Sequence, residues 1–513
     1  MVSAHRRLPI VFMLALVAYL SLFHGTFEHI ADDPGLGWHL ANGSVIAKTG
    51  VLPRIDPFLA LPLVANSYSP PGVPRPWINE QWFGDLVLYE LLSLGGWPLI
   101  YGLVAGLYLV AYFGIAADSL RRPGEGWLLV VMGIVLAFKL GQVHLIIRPV
   151  LFSIVFFSLF VARCLKLAAH TERSWSEVML DALVLGGVTV VWANTHPAFV
   201  YGFVVLGVVI ASLVIAGANA RAKSVKVAVI FIVCLIASSF NPFGFHLYES
   251  MWSLGGSSSL RAITTEWLPL DFKRSEGRLL ILLALIPCVG YLFSSSIRRG
   301  VGIFEMTLAL VFVLQAVWAV RVVPFASLAC LPLWGACFGG KRILPELSWT
   351  ALTRRAVRRV DERELGMRWP GLKSSVGIAV VGLIVMLLVP SRVLPPNLGP
   401  IHERRLQEMF PAQAPAGGRG ILASPDWGGA ITRLMWPERR AVLDDRTVVL
   451  GADLYRAYLQ SVRDPQVFEH LVRVFGVTDV LVPTGSPLGR YLQDGNAWRR
   501  VGRSGDTSLF SAP

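Results

Sequence analysis

The sequence predicts an α-helical integral membrane protein with about eleven crossings, a long first outer loop and a small soluble α/β domain at its C-terminal end. Three observations lead to that class. Apolar residues make up 54% of the chain and charged residues only 15%, against about 25% charged in soluble proteins. The apolar residues fall into runs close to the roughly 20 residues a helix needs to cross a bilayer. Lys and Arg collect in alternate connections between those runs, as they do on the cytoplasmic side of membrane proteins.

The first run, 8–27, follows His5, Arg6 and Arg7, and no small-x-small cleavage pattern comes after it. It is expected to be an uncleaved helix with its N-terminus in the cytoplasm. Further runs lie at 97–117, 127–145, 150–168, 178–194, 198–218, 226–240, 279–294, 301–319, 322–339 and 374–391. The stretch 84–94 is too short to span and is expected to lie at the interface or to re-enter. When alternate connections are threaded to alternate sides, one side receives Arg6 and Arg7, Arg121 and Arg122, Arg163, Lys166 and Arg173, Arg221, Lys223 and Lys226, and Arg298 and Arg299. The same side takes the basic cluster from Lys341 to Lys373. This pattern accounts for the formal charge of +13 without nucleic acid, for which the chain shows neither a basic face nor a binding module. Cys164, Cys234, Cys288, Cys330 and Cys337 lie in or beside apolar runs without metal-ligand spacing, and are expected to be small buried side chains.

The threading sends the polar, motif-like connections to the opposite face: the Asp32–Trp82 loop, IIRP at 146–149, NTHP at 194–197, NPFGFHLY at 241–248, TEWLPLDF at 265–272 and VRVVP at 320–324. A pore would instead spread polar residues through its spans. The first of these loops is far longer than ordinary helix connections. It mixes Trp38, Trp77 and Trp82 with Asp32, Asp33, Asp56, Glu80 and His39, between turn-forming Pro and Gly. Aromatics beside carboxylates suit a polar ligand site, and suit a folded cap at the membrane surface equally well. After 391 the composition changes to turn clusters, strand-like runs (AVLDDRTVVL, VTDVLVP), a helix near 452–475 and a linker at 411–418. The expected division is therefore 1–391 for the membrane part and 392–513 for a soluble domain on the outer side.

DPGLGWHLANGSVIAKTGVLPRIDPF, the Trp77–Trp82 pattern W-x-N-E-Q-W, the W-A-N-T-H-P, N-P-F-G, E-W-x-P and R-x-x-P loops and the later SPDWGGAITRLMWPERRAVLDDRT resemble a group of bacterial multi-spanning proteins. That group is similar to the GT-C class of glycosyltransferases, which use dolichyl- or polyprenyl-phosphate sugars. The resemblance implies a helical bundle in the bacterial inner membrane whose first outer loop presents a catalytic Asp. It also implies sugar transfer from a lipid-phosphate donor to a glycan, lipid or protein hydroxyl, with inversion at the anomeric carbon. Asp33 matches the first-loop acid. The group often carries Asp-Pro-Asp, and here Gly35 replaces the second acid, leaving Asp32 as the neighbour that could stand in.

Such a transfer needs a base for the acceptor's proton and cations for the departing phosphate. Asp33 and Asp32 are the candidate acids, although Asp also favours helix N-caps. Arg148 and Arg321 sit at outer ends of spans, where guanidinium groups either clamp phosphate or snorkel to lipid headgroups. His39 and His196 are candidates for phosphate or sugar hydroxyls. Trp38, Glu80, Trp82 and Glu266 offer the indole–carboxylate pairing that suits a sugar ring, a pairing that interfacial Trp belts also produce. No cofactor is expected, and no ligand spacing supports a divalent cation. Asp444, Asp445 and Arg446 end a strand-like run, where they could contact an acceptor glycan; a strand-end turn held by an Asp–Arg pair is the expected arrangement. The rival readings are a non-catalytic lipid-glycan-binding protein or subunit on the same scaffold, and a transporter.

Overall fold

A computed structural model describes residues 30–64, 71–116, 127–169, 173–256, 258–259, 264–339, 399–410, 419–495 and 497–512. Up to Phe338 the described chain is helical apart from its loops, and the only sheet among the described residues lies after it. Among the described residues, six helices are long and apolar enough to cross a membrane: Trp82–Ala116, Val150–Ala168, Trp175–Thr195, Pro197–Ile215, Ser275–Phe293 and Val320–Phe338. Leu129–His144 and Ile303–Trp318 are apolar but shorter. Ala218–Ala237 is helical but carries Arg221, Lys223 and Lys226 in its first half. Among the described residues, fewer helices thus meet the length and composition of a crossing than the eleven expected of the whole chain. Runs 8–27 and 374–391, the 341–373 cluster and linker 411–418 lie outside the described residues.

The stretch 84–94 is not isolated from the crossing that follows it, because one helical path runs from Trp82 to Ala116. A bend separates its two parts at Gly96, whose φ of 63° is left-handed, a conformation glycine reaches without a Cβ penalty. Pro98 follows two residues on and cannot donate a backbone hydrogen bond to the preceding turn.

Helix Val323–Phe338 is buried at every position, so it forms the middle of the bundle. It packs against Trp127–Gly141, Ser275–Phe293 and Ile303–Trp318. Trp334 donates its indole N–H to the Leu283 carbonyl (2.7 Å), giving its one polar atom a partner inside the core. Four cysteines are buried as expected, but Cys288 is exposed: it points outward from a helix whose apolar residues largely face away from the bundle.

The C-terminal part forms a five-stranded sheet in the order β2-β1-β3-β5-β4, from β1 (Arg419–Leu422), β2 (Arg439–Ala441), β3 (Val477–Pro483), β4 (Arg499–Ser504) and β5 (Thr507–Ser511). β1 pairs in parallel with β2 and β3, while β5 runs antiparallel to β3 and β4. The core includes Ile421, Val480, Leu481, Leu509 and Phe510 beneath helices Pro425–Met435 and Pro465–Phe475. Two expectations change. AVLDDRTVVL is not one strand: β2 ends at Ala441 and Thr447–Leu450 is a helical turn. The single helix near 452–475 is two, Ala452–Ser461 and Pro465–Phe475, because Asp464 caps the second by accepting the Gln466 N–H and Pro465 starts it.

The long first loop is stitched to this sheet. Leu59 and Ala60 enter its core, and the Ala60 N–H donates to the Ala441 carbonyl at 2.9 Å. Within the loop, Asp56 N donates to Arg75 O and Trp77 N to Arg54 O, a short antiparallel pairing. Asp56 accepts the Leu59 N–H at 2.9 Å, the turn-shaping role its Asp-Pro pair suggests.

Candidate functional site

Residue 33 opens the site. Asp33 Oδ1 accepts the Gly35 N–H (2.8 Å), which turns the chain into helix Leu36–Thr49, and Oδ2 takes the Arg148 Nε–H. One carboxylate therefore both shapes the helix start and holds a cation. Arg148 also reaches Glu266 (3.3 Å) and Asp445, so a single guanidinium is shared by three acids from three parts of the chain. Burial works to lower the guanidinium's proton affinity, but the three carboxylates outweigh it and raise it. Burial lifts the Asp33 carboxyl above the usual range against the pull of Arg148. For Glu266, burial is overcome by His144, Arg148 and Arg321, which hold it well below the usual range.

These groups line a cavity of about 950 Å³ between the helical part and the C-terminal part. Nine of the ten residues proposed from the sequence line it: Asp32, Asp33, Trp38, His39, Glu80, Arg148, His196, Glu266 and Arg321. Trp82 is the exception and needs correcting. As the first residue of its helix it turns toward the neighbouring bundle, where its indole N–H donates to Asn194 Oδ1 at 3.0 Å.

Arg321 differs from Arg148. Its guanidinium lies 4.6 Å from the Trp267 ring centroid, and no carboxylate among the described residues pairs with it. His196 stands near it. The Ala198 N–H donates to His196 Nδ1 (3.1 Å), and the Ser153 hydroxyl, which accepts the Trp192 indole N–H (2.8 Å), lies 3.1 Å from the same nitrogen. Nδ1 is thus an acceptor and the proton sits on Nε2. Burial and the Arg321 charge depress the imidazole well below its usual range, keeping it neutral.

His39 Nδ1 lies 2.6 Å from Asp85 Oδ1, while Asp85 Oδ2 accepts the Asn42 amide at 2.6 Å. Asn42 and Asn79 exchange amide hydrogen bonds (3.1 and 3.0 Å), tying Glu80's turn to helix Leu36–Thr49. Glu80 lines the cavity with no side-chain partner among the described residues, and burial pushes its carboxyl up to about 7. Asp32 pairs with His402 at 2.8 Å.

Sequence reasoning missed Asp85 and His144, and favoured a turn over a ligand contact for Asp445. His144 lies four residues before Arg148, a local hint; Asp85 had none. Asp445 accepts the Trp38 indole N–H (2.7 Å) as well as Arg148, and a Cβ built on Gly35 would lie 2.9 Å from both Asp445 Oδ2 and Arg148 Nη2. Asp445 therefore fills the space in front of Gly35. The expected Asp–Arg turn is present, with Arg446 bonded to Asp444 at 2.8 and 2.6 Å. Arg446 also pairs with Asp56 (2.9 Å) and lies over the Trp38, Phe58 and Trp77 rings, so Trp77 cages a cation. No group of three or more His, Cys, Asp or Glu with metal-binding geometry occurs among the described residues.

Fold and site together define a helical membrane protein with a charged cavity closed by a sheet-containing C-terminal part. No protein-family model matches the chain, and no curated protein matches it.

Proposed function

We propose that the protein is a membrane glycosyltransferase of GT-C type that moves a sugar from a polyprenyl-phosphate donor to a hydroxyl acceptor, with inversion. In this reading the chain crosses a bacterial inner membrane about eleven times, with cytoplasmic Lys and Arg loops and the cavity on the noncytoplasmic face. The prenyl chain lies along apolar helices, and the sugar phosphate enters the cavity.

The observation that carries the reading is Arg321, which makes no direct ion pair among the described residues, beside a neutral His196 in a carboxylate-lined cavity, at the start of apolar helix Val320–Phe338. A cation not locked in an ion pair suits an incoming phosphate, and an imidazole Nε2–H adds a donor. Carboxylates on the other walls suit sugar hydroxyls and proton removal. Asp33 is the base that the family resemblance assigns.

The test is the purified protein in proteoliposomes with synthetic polyprenyl-phosphate mannose and polyprenyl-phosphate arabinose, scored for released polyprenyl phosphate. Release by the wild type and its loss in Arg321→Ala is the expected outcome. Donor binding without release would instead favour a lipid-glycan-binding protein, and solute counterflow a transporter.

A further inference from the structure

We infer that Glu80 is the group that takes the acceptor's proton, an inference that rests on the transferase reading above. Its geometry separates it from every other described carboxylate lining the cavity. Asp33 has Arg148 on one oxygen and the Gly35 N–H on the other. Glu266 and Asp445 share the same guanidinium, Asp32 faces His402, Glu249 faces His246 (2.7 Å) and Asp426 accepts the Ser424 hydroxyl (2.9 Å). Glu80 meets only its own backbone N–H among the described residues.

Its backbone is nonetheless held in place. The Glu80 N–H donates to the Ile78 carbonyl (3.0 Å), and the preceding Asn79 is locked to Asn42. The carboxylate is thus a positioned group with a free acceptor face, which a proton-abstracting base requires. The charged groups around it are Asp85, which raises its proton affinity, and Arg446 and Arg321, which lower it; burial outweighs them all and brings it to about 7. An acid matched to neutral pH accepts a proton more effectively than one locked in an ion pair.

In the step, the acceptor hydroxyl gives its proton to a Glu80 oxygen while its own oxygen bonds to the anomeric carbon. The bond from that carbon to the phosphate oxygen breaks, and its electron pair leaves with the phosphate, held by Arg321 and the His196 Nε2–H. Glu80, now a neutral acid, returns the proton to water. Asp33 becomes a positioning residue that fixes Arg148.

The test uses the full chain in proteoliposomes with the same two donors and water in the acceptor's place, so that hydrolysis reports the step without a known acceptor. Wild-type kcat is expected to rise with pH through about 7, because only ionised Glu80 accepts a proton. Glu80→Gln is expected to lower kcat about 10²–10⁴-fold and to lose that pH limb while still binding polyprenyl phosphate. Glu80→Asp should restore part of the rate with the limb displaced. Wild-type turnover with an unchanged limb in Glu80→Gln overturns the assignment and returns the role to Asp33. Should the Gln variant not fold, an undisplaced limb in Glu80→Asp overturns it equally. A wild type that releases nothing from either donor removes the transferase reading, and Glu80's role with it.

Discussion

Arg148 and Arg321 occupy similar places in the sequence, Arg148 just before an apolar helix and Arg321 at the start of one, yet their surroundings give them different work. Arg148 is saturated by Asp33, Glu266 and Asp445, so its removal takes the shared cation from three neighbouring carboxylates, of which Glu266 alone keeps His144 beside it. Arg148→Ala is expected to cost stability, about 3–5 kcal/mol, read as a fall in the thermal unfolding midpoint of the detergent-solubilised protein. Arg321 makes no ion pair among the described residues, so Arg321→Ala should leave that midpoint almost unchanged. It should instead weaken polyprenyl-phosphate binding by about 1.5–3 kcal/mol, with Arg321→Lys recovering only part because the guanidinium fork is lost. Gly35 is a further residue whose meaning is spatial. An acid there collides with Asp445 and Arg148, so Gly35→Asp should lower the unfolding midpoint and Gly35→Asp with Asp445→Gly should recover it.

At the scale of elements, the C-terminal part is held against the first loop by glycines. Helix Leu36–Thr49 crosses helix Pro425–Met435 so closely that a Cβ on Gly37 would overlap the Gly429 carbonyl, and one on Gly429 would overlap the Pro34 carbonyl. These obstacles are backbone atoms, which cannot rotate aside. Gly37→Ala is therefore expected to push the two helices apart at a cost of about 1–3 kcal/mol. Because Asp33 and Asp445 sit on the two sides of that contact, the same variant should weaken the Arg148 bridge and raise protease cleavage between 399 and 425. Unaltered proteolysis and an unchanged unfolding midpoint would show that the close approach carries no structural weight. The chain makes the same kind of approach at Gly43, where a Cβ would run into the Asp85 carbonyl, bringing His39 and Asp85 within a hydrogen bond of each other.

For the whole molecule, the threading proposed from the Lys and Arg loops puts the residues just before helix Trp175–Thr195 and the C-terminal part in opposite compartments. In a cysteine-free background, a membrane-impermeant maleimide added from outside should label Gln460→Cys and leave Ser176→Cys unlabelled until the membrane is opened; labelling of both from outside would reverse or break the threading. Helix positions were legible because an apolar run declares its own length, and the polar loops stood out because charge is scarce in so apolar a chain. Nine site candidates meet in one cavity for that reason. What the residue order could not convey was who neutralises whom. Arg148 meets Asp33, Glu266 and Asp445 across sequence separations of 115, 118 and 297 residues, and Trp82 turned to Asn194 instead of the cavity. By itself the sequence determined that this is a mostly helical, membrane-type chain with its chemistry in the loops, since run length and composition are local properties. Only the tertiary structure decided that Asp33 is bound while Glu80 and Arg321 stand free of side-chain ion pairs among the described residues, because ion pairing acts over a few ångströms of space whatever the distance along the chain.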